Sequence, residues 1–307
     1  MTPDVERLLF VHAHPDDETL TTGLTMAHYL RAGHPVHVLT CTLGEEGEVI
    51  PPGLLHLDAA HDDTLGLHRR AELRAAMETL GATHEVLGED AETGTPSRYR
   101  DSGMAGTTSA ANPAAFVNAD LDEAAELVAR VVRRIRPAVV VTYDEQGGYG
   151  HPDHIQTHRV TCAALRGLPE DERPPLYAVL TPSSWAREDR EWLADHPPVG
   201  TGWSLPDVDG EYPPSVVADR LVTHAVVDPA LVPAQADALR KHATQVSVAD
   251  SGDTYALSND IAARLPGREG FALLDPVTGR LATAAEDELG GGPAAAPRHS
   301  GLLGGRR

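Results

Sequence analysis

The sequence predicts an α/β fold, a Rossmann-like parallel sheet with helices on both faces, completed by an irregular and partly β C-terminal cap. Three observations predict it. Short apolar runs alternate with segments of helical period through the first half, parallel strands need the crossover that such helices supply, and beyond Gly167 the pattern breaks into Pro-rich turns.

Residues 7–12 (RLLFVH) form an apolar run suited to a buried parallel strand, and Leu20, Gly23, Leu24, Ala27 and Leu30 then recur at helical spacing, closed by Gly33. Residues 35–42 (PVHVLTCT) read as the second strand. After the loop of residues 44–47 comes a helix with Leu73, Met77 and Leu80 on one face and Gly81 as its stop. Residues 84–87 are a third strand candidate; Leu121, Ala124, Ala125, Val128, Val132 and Ile135 mark an amphipathic helix ending before Pro137. Residues 138–143 (AVVVTY) are the fourth strand. In the common order 3-2-1-4-5, strands one and four lie side by side at the switch point, where ligands bind beyond the carboxyl ends.

From Leu168 onward, Pro169, Pro174, Pro175, Pro197, Pro198, Pro213 and Pro214 interrupt short strand candidates such as 176–180, and residues 229–243 look helical. Residues 282–307, rich in Gly, Ala and Pro, are expected to be disordered. The expected plan is a metal-binding core over 1–167, a cap with a returning helix packed on it over 168–281 in the same domain, and the tail.

The chain has 307 residues and is 41% apolar, enough for a sizeable core. Acidic residues outnumber Lys and Arg by 46 to 25, and the net charge of −21 repels phosphate backbones and anionic lipid, so nucleic acid and membrane are not expected partners. No run of roughly 20 apolar residues spans a bilayer, and Cys41 and Cys162 are too few for a disulfide framework, so a cytoplasmic protein is expected. Oligomeric state is not legible. The unusual feature is 16 histidines beside the acidic surplus, because imidazole plus carboxylate is zinc chemistry.

Two clusters concentrate those groups. His12-Ala13-His14-Pro15-Asp16-Asp17-Glu18 sits where strand one should end, and Asp17 can share an ion with His14 if the turn folds back; alternatively the three acids simply cap a helix. Gly147-Gly148-Tyr149-Gly150-His151-Pro152-Asp153-His154 occupies the corresponding place after strand four, with Pro152 suited to a first helical turn. His151 and His154, three apart, can share one side of that turn. Two His-Pro-Asp clusters at both flanks of a switch point exceed what capping explains, and two His plus one carboxylate with an open position is the catalytic zinc pattern.

His14-Pro15-Asp16-Asp17-Glu18 together with His151-Pro152-Asp153-His154 resembles the N-acetylglucosaminyl-phosphatidylinositol de-N-acetylase superfamily of PIG-L or LmbE type. Within it, the runs LLFVHAHPDDE, VLTCTLGEEGEVI, RDSGMAGT, VVVTYDEQGGYGHPDH, KHATQV and ALSN resemble the branch that serves mycothiol biosynthesis in actinobacteria. The resemblance implies a Rossmann-like fold in which His14, Asp17 and His154 hold one divalent ion per subunit, Zn2+ or alternatively Fe2+, and Asp16 acts as general base. Sequence alone does not say which aspartate does which. The resemblance further implies that Tyr149 lies over the site and that His151, oriented by Asp153, steadies the oxyanion or protonates the leaving amine, an imidazole beside a carboxylate holding its proton more firmly. Arg69, Asp101 and Met104 are implied substrate contacts, although without the resemblance Arg69 reads as an exposed helix residue and Asp101 as a turn acid. His158 reads as a packed helix histidine or one behind the ligands, Glu45 and Glu46 as residues near the same sheet edge, and the two cysteines as buried structural thiols.

The implied reaction is hydrolysis of the acetamide of 1-O-(2-acetamido-2-deoxy-α-D-glucopyranosyl)-1D-myo-inositol, a small-molecule substrate. A mycothiol S-conjugate amidase, or another N-acetylglucosaminide de-N-acetylase, keeps the chemistry and changes the substrate. A metal- or sugar-binding protein without turnover leaves base and oxyanion groups unexplained, and a dinucleotide enzyme lacks the Gly-x-Gly-x-x-Gly fingerprint at its first turn.

Overall fold

The computed structural model describes residues 5–282 and 299–303. Its first half runs β1 (Leu8–His12), α1 (Asp17–Arg31), β2 (Val36–Thr40), α2 (Leu65–Leu80), β3 (Thr83–Val86), α3 (Leu121–Ile135), β4 (Val139–Thr142), a kinked turn α4 (Gly147–Gly150) and α5 (Pro152–Arg166). The second half runs β5 (Leu176–Pro182), α6 (Ser183–Asp195), β6 (Val216–Val217), β7 (His224–Val227), α7 (Val232–Leu239), β8 (Ser247–Val248), β9 (Thr254–Ala256), β10 (Ala263–Arg264), β11 (Arg268–Asp275), β12 (Arg280–Leu281) and β13 (His299–Ser300).

The main sheet has the order β13-β7-β11-β5-β4-β1-β2-β3, so the expected 3-2-1-4-5 order is present. β1 lies between β2 and β4, parallel to both, with Phe10 opposite Val141. All five residues of β1 are buried, because helices cover both faces. Strand alternation divides them: Leu8 and Phe10 pack with Met26, Leu73 and Met77 of α1 and α2, whereas Leu9 and Val11 pack with Val128, Val132 and Val160 of α3 and α5. Burial of a side chain such as Phe10 contributes roughly 1.5–3 kcal/mol. In the first half of the chain, helix ends fall where the sequence places them. Gly81, at φ 86°, takes the left-handed conformation that stops α2, and the Asp120 carboxylate accepts the Glu123 N–H to start α3.

The partly β part beyond 167 continues the same sheet: β5 adds to it in parallel, and β11 joins antiparallel to β5 and β7, while α6, the loops and a small β10-β9-β8 sheet make up the irregular remainder. Two expectations need correction. The helix expected over 229–243 ends at Leu239, because tight turns from Lys241 N–H to Ala238 O and His242 N–H to Leu239 O swing the chain inward. Of the tail expected to be disordered, residues 299–303 are ordered: β13 pairs with β7, and buried Leu302 donates its N–H to the Tyr29 hydroxyl. The remaining tail residues, 283–298 and 304–307, lie outside the described residues. Among the described residues, no helix is long and apolar enough to cross a membrane.

Candidate active site

β1 and β4 end side by side, and each is followed by one of the two His-Pro-Asp clusters. After β1 the chain folds back sharply: the His14 N–H donates to Asp17 Oδ2 at 2.9 Å while the Asp17 N–H donates to His14 O at 3.3 Å. After β4, α5 starts at Pro152, and its cap is His151, whose Nδ1 accepts the Asp153 N–H at 3.1 Å. Both sets of side chains converge over the sheet edge, as the switch-point rule requires.

Three donor atoms meet there. His14 Nδ1 lies 3.3 Å from Asp17 Oδ2, His154 Nε2 lies 3.2 Å from Asp17 Oδ2, and the two imidazole nitrogens are 3.3 Å apart. Bonds of 2.0–2.1 Å to one tetrahedral ion separate its ligand atoms by about 3.3–3.4 Å. The donor set therefore has both the chemistry and the spacing to hold one divalent metal ion. Two looser groupings, His14 with His151 and His154, and His14 with Asp101 and Asp153, lie within 4.8 Å. Of their extra members, His151 accepts the Asp153 N–H through Nδ1, Asp101 accepts the N–H groups of Glu46 and Gly103, and Asp153 Oδ2 accepts that of Ser102.

The back of the site sets the tautomer. His14 Nε2 faces Asp153 Oδ2 at 3.3 Å and Asp101 Oδ1 at 3.5 Å, so it carries a hydrogen and leaves Nδ1 to point at the convergence. Burial lowers the pKa of His14, but Asp101, Asp153 and Asp17 outweigh it and raise it well above the ordinary 6.5. The surrounding carboxylates favour positive charge here, as a proton or as a metal ion. For Asp17, burial opposes ionisation, yet His154 and His14 hold the carboxyl well below the usual range. The Tyr143 hydroxyl donates to the same Asp17 Oδ2 at 2.9 Å, and its ring stacks on His154 with centroids 4.2 Å apart.

Asp16 stands beside this trio in a backbone conformation that non-glycine residues rarely adopt, φ 116° and ψ −34°. Such a conformation costs about 1–3 kcal/mol and persists only where the surroundings over-determine it. They do so here. The Asp16 N–H donates to Glu18 Oε2 at 3.0 Å, its carbonyl accepts the N–H groups of Thr19 and Leu20, and Arg69 Nη2 sits 3.3 Å from its carboxylate. Burial pushes the Asp16 carboxyl up to about 7, against the pull of the Arg69 guanidinium and with repulsion from Asp17. A carboxylate poised near neutrality suits a general base.

The PIG-L, GlcNAc-PI de-N-acetylase, family matches residues 9–165, which contain both clusters. The chain belongs to this family. Relatives from Rhodococcus opacus (49% identical, covering 87% of this chain and 91% of theirs), Rhodococcus erythropolis (47%, covering 94% and 96%) and Geodermatophilus obscurus (48%, covering 94% and 98%) are each named 1D-myo-inositol 2-acetamido-2-deoxy-alpha-D-glucopyranoside deacetylase. Among solved structures, the antimicrobial reagent A40926 pseudoaglycone deacetylase Dbv21 is 22% identical, with 78% of this chain and 83% of that chain covered and a TM-score of 0.47.

In this PIG-L chain the other residues singled out in the sequence fall differently. Asp153 does not orient His151 through its carboxylate, which is turned to His14; only its backbone N–H reaches His151. Nor is the His151 proton held firmly: burial and the neighbouring imidazoles of His14 and His154 lower its pKa to about 3. With Nδ1 spent as an acceptor, the neutral ring carries its hydrogen on Nε2. Tyr149 is half exposed, its ring 4.8 Å from that of His154 and 6.0 Å from that of His151, at the mouth of the site. Arg69 is buried, and its Nη atoms are spent on Gly44 O, Pro15 O and Asp16; a Cβ on Gly44 would lie 1.9 Å from Nη1, which explains the glycine. Asp101 is buried against His14, and Met104 is exposed.

His158 bonds Tyr143 O and stays outside the donor trio, Glu45 accepts the Asp101 N–H, and Glu46 pairs with Arg100. Burial raises the thiols of Cys41 and Cys162 to about 12, so neither is activated. Sequence reasoning missed Tyr143 and His242 and took Glu18 only as a capping acid. Tyr143 immediately follows the β4 strand, the position from which switch-point ligands are drawn, and that was a usable signal.

Proposed function

We propose that this chain is a metal-dependent N-deacetylase that hydrolyses the acetamide of 1-O-(2-acetamido-2-deoxy-α-D-glucopyranosyl)-1D-myo-inositol, giving acetate and the free amine. The observation that carries this is the convergence of His14 Nδ1, Asp17 Oδ2 and His154 Nε2, with the carboxylate of Asp16 held beside them on a strained backbone. The substrate follows from the PIG-L family and from the name shared by relatives at 47–49% identity over most of the chain. The resemblance of the longer sequence runs assigns the reaction to mycothiol biosynthesis.

His14, Asp17 and His154 would hold the ion, Zn2+ by ligand chemistry, with Fe2+ accepted by the same set. When bound, the ion supplies Lewis-acid polarisation and acidifies the attacking water. Asp16 takes the proton of that water and passes it to the amide nitrogen as the C–N bond breaks and the amine leaves, while the neutral His151 gives the carbonyl oxygen a hydrogen bond from its Nε2–H as negative charge develops. Tyr149 closes over the same oxygen. Asp153 and Tyr143 keep His14 and Asp17 aligned from behind. Arg69 acts through Asp16 and the Pro15 and Gly44 carbonyls, Asp101 acts through His14 from behind, and of the three implied substrate contacts only Met104 is exposed to meet the sugar.

The test is acetate release from the acetylated disaccharide, run beside a mycothiol S-conjugate and with zinc content measured. Asp16→Asn should keep the metal and lose at least about a hundredfold in kcat, whereas His154→Ala should lose both. A fully active Asp16→Asn enzyme overturns the assignment of the base, and preference for the S-conjugate overturns the substrate.

A further inference from the structure

The strained Asp16 is held from the far end of the chain. Glu18 is fully buried, and its two oxygens do different work: Oε2 accepts the Asp16 N–H at 3.0 Å, and Oε1 accepts His242 Nε2 at 3.0 Å together with the Thr19 hydroxyl at 2.5 Å. His242 is itself fully buried and lies 224 residues beyond Glu18. The turn that carries it is fastened to α2, where the Thr244 N–H and hydroxyl both donate to the Glu72 carboxylate, at 2.9 and 2.6 Å. A buried carboxylate accepting three donors has one orientation available, and that orientation places an acceptor where the Asp16 N–H must point. Neither Glu18 nor His242 belongs to the donor trio, and the family match ends at residue 165, before His242.

We propose that Glu18 and His242 are positioning residues: together they clamp the backbone N–H of Asp16, hold φ of that residue in its strained region, and so aim the Asp16 carboxylate at the attacking water. This rests on the reading of Asp16 as general base. Aim is worth a great deal in such a site, since a displacement of about 1 Å in a reacting group can cost roughly a hundredfold in rate. The clamp accounts for why the C-terminal half returns across α1 at all, beyond covering it, and for why a charged side chain is sealed beneath the active-site turn.

The experiment uses zinc-loaded full-length protein and three variants. His242→Leu keeps the volume and removes the donor, His242→Gln offers an N–H close to the place of Nε2, and Glu18→Gln leaves one acceptor oxygen where two are needed. His242→Leu and Glu18→Gln should each lower kcat about 10- to 100-fold, with KM within about twofold and zinc content unchanged. His242→Gln should recover most of kcat. A crystal structure of His242→Leu should show the Asp16 N–H to Glu18 contact opened and φ of Asp16 relaxed. Wild-type kcat in His242→Leu, equal impairment of the Leu and Gln variants, or an unchanged Asp16 backbone would each overturn the clamp. If His242→Leu does not fold, Glu18→Gln and His242→Gln decide by the same kinetic and crystallographic readouts. A wild-type protein that releases no acetate defeats the functional reading alone, because the crystallographic comparison still decides the clamp.

Discussion

Tyr143 and Asp17, 126 residues apart, are joined by a 2.9 Å hydrogen bond in which the phenol donates to Oδ2. The same phenolic oxygen accepts the Ala13 N–H at 2.9 Å, and the ring stacks on His154. One residue following β4 thereby holds groups from both clusters in register. Burial and the Asp17 carboxylate raise its pKa well above 10, so the hydroxyl stays protonated and remains a donor.

Tyr143→Phe keeps the stacked ring and removes the oxygen. Asp17 then loses a donor and the buried Ala13 N–H loses its acceptor, at a stability cost of about 1–3 kcal/mol. Groups behind a metal site typically contribute about 10- to 100-fold in affinity. The expected outcome is zinc binding weakened by that factor in a chelator competition, with a thermal midpoint a few degrees lower. Unchanged affinity contradicts the role assigned to the phenol.

Much of this arrangement is legible in the sequence. The strands are legible because β1 and β4 are buried on both faces and read as apolar runs, with β2 broken only by the half-buried His37, and polar residues at their ends mark the switch point of the common strand order. β7 and β11 are harder to see: each is short or carries charged residues such as Arg268 and Glu269, which turn into contacts with α6 and α1 that only the fold creates. Side-chain direction is also beyond reach of spacing. Asp153 adjoins His154 and lies two residues from His151, but its carboxylate turns to His14, 139 positions away.

The Asp16 carboxyl, pushed to about 7 by burial, predicts a rising limb in kcat/KM. Below that pH the group is protonated and cannot accept a proton; as pH climbs through it, activity appears. A nearby metal cation favours the ionised form and moves the midpoint down, so the limb should be centred at or below about 7. Arg69→Met removes the guanidinium that lowers this pKa and should move the limb upward. A limb unmoved by that change, measured from pH 5 to 9, shows that another group sets it.

His151 is expected to work as a neutral donor. Burial and two neighbouring imidazoles lower its pKa to about 3, so no limb between pH 5 and 8 should belong to it. Loss of one donor at a developing oxyanion typically costs about 10²–10³ in kcat. His151→Ala should show that loss with KM little changed and zinc retained, and its pH profile should keep the wild-type limb. Disappearance of the limb in this variant means that His151 titrates in the working range.

Glu269 carries a pH dependence of stability that is separate from the chemistry. Its carboxylate on β11 accepts the N–H groups of Leu24 and Thr25 of α1 at 3.0 and 2.9 Å and has no ion-pair partner among the described residues. Burial raises its pKa from 4.5 to about 7, even though those hydrogen bonds pull it down. Below pH 4.5 both folded and unfolded chains hold the proton and the group contributes nothing to the pH dependence. Between 4.5 and 7 the folded chain keeps a proton that the unfolded chain releases, so stability falls as pH rises; above 7 both are ionised and the fall is complete. The full effect is at most about 3 kcal/mol, and less where water enters the cavity of about 250 Å³ that Glu269 lines. Glu269→Gln removes the titration. Measured by urea unfolding at pH 5, 6, 7 and 8, the variant should gain on the wild type from pH 5 to about 7 and hold that gain at pH 8, and parallel curves would show that Glu269 is already ionised at pH 5.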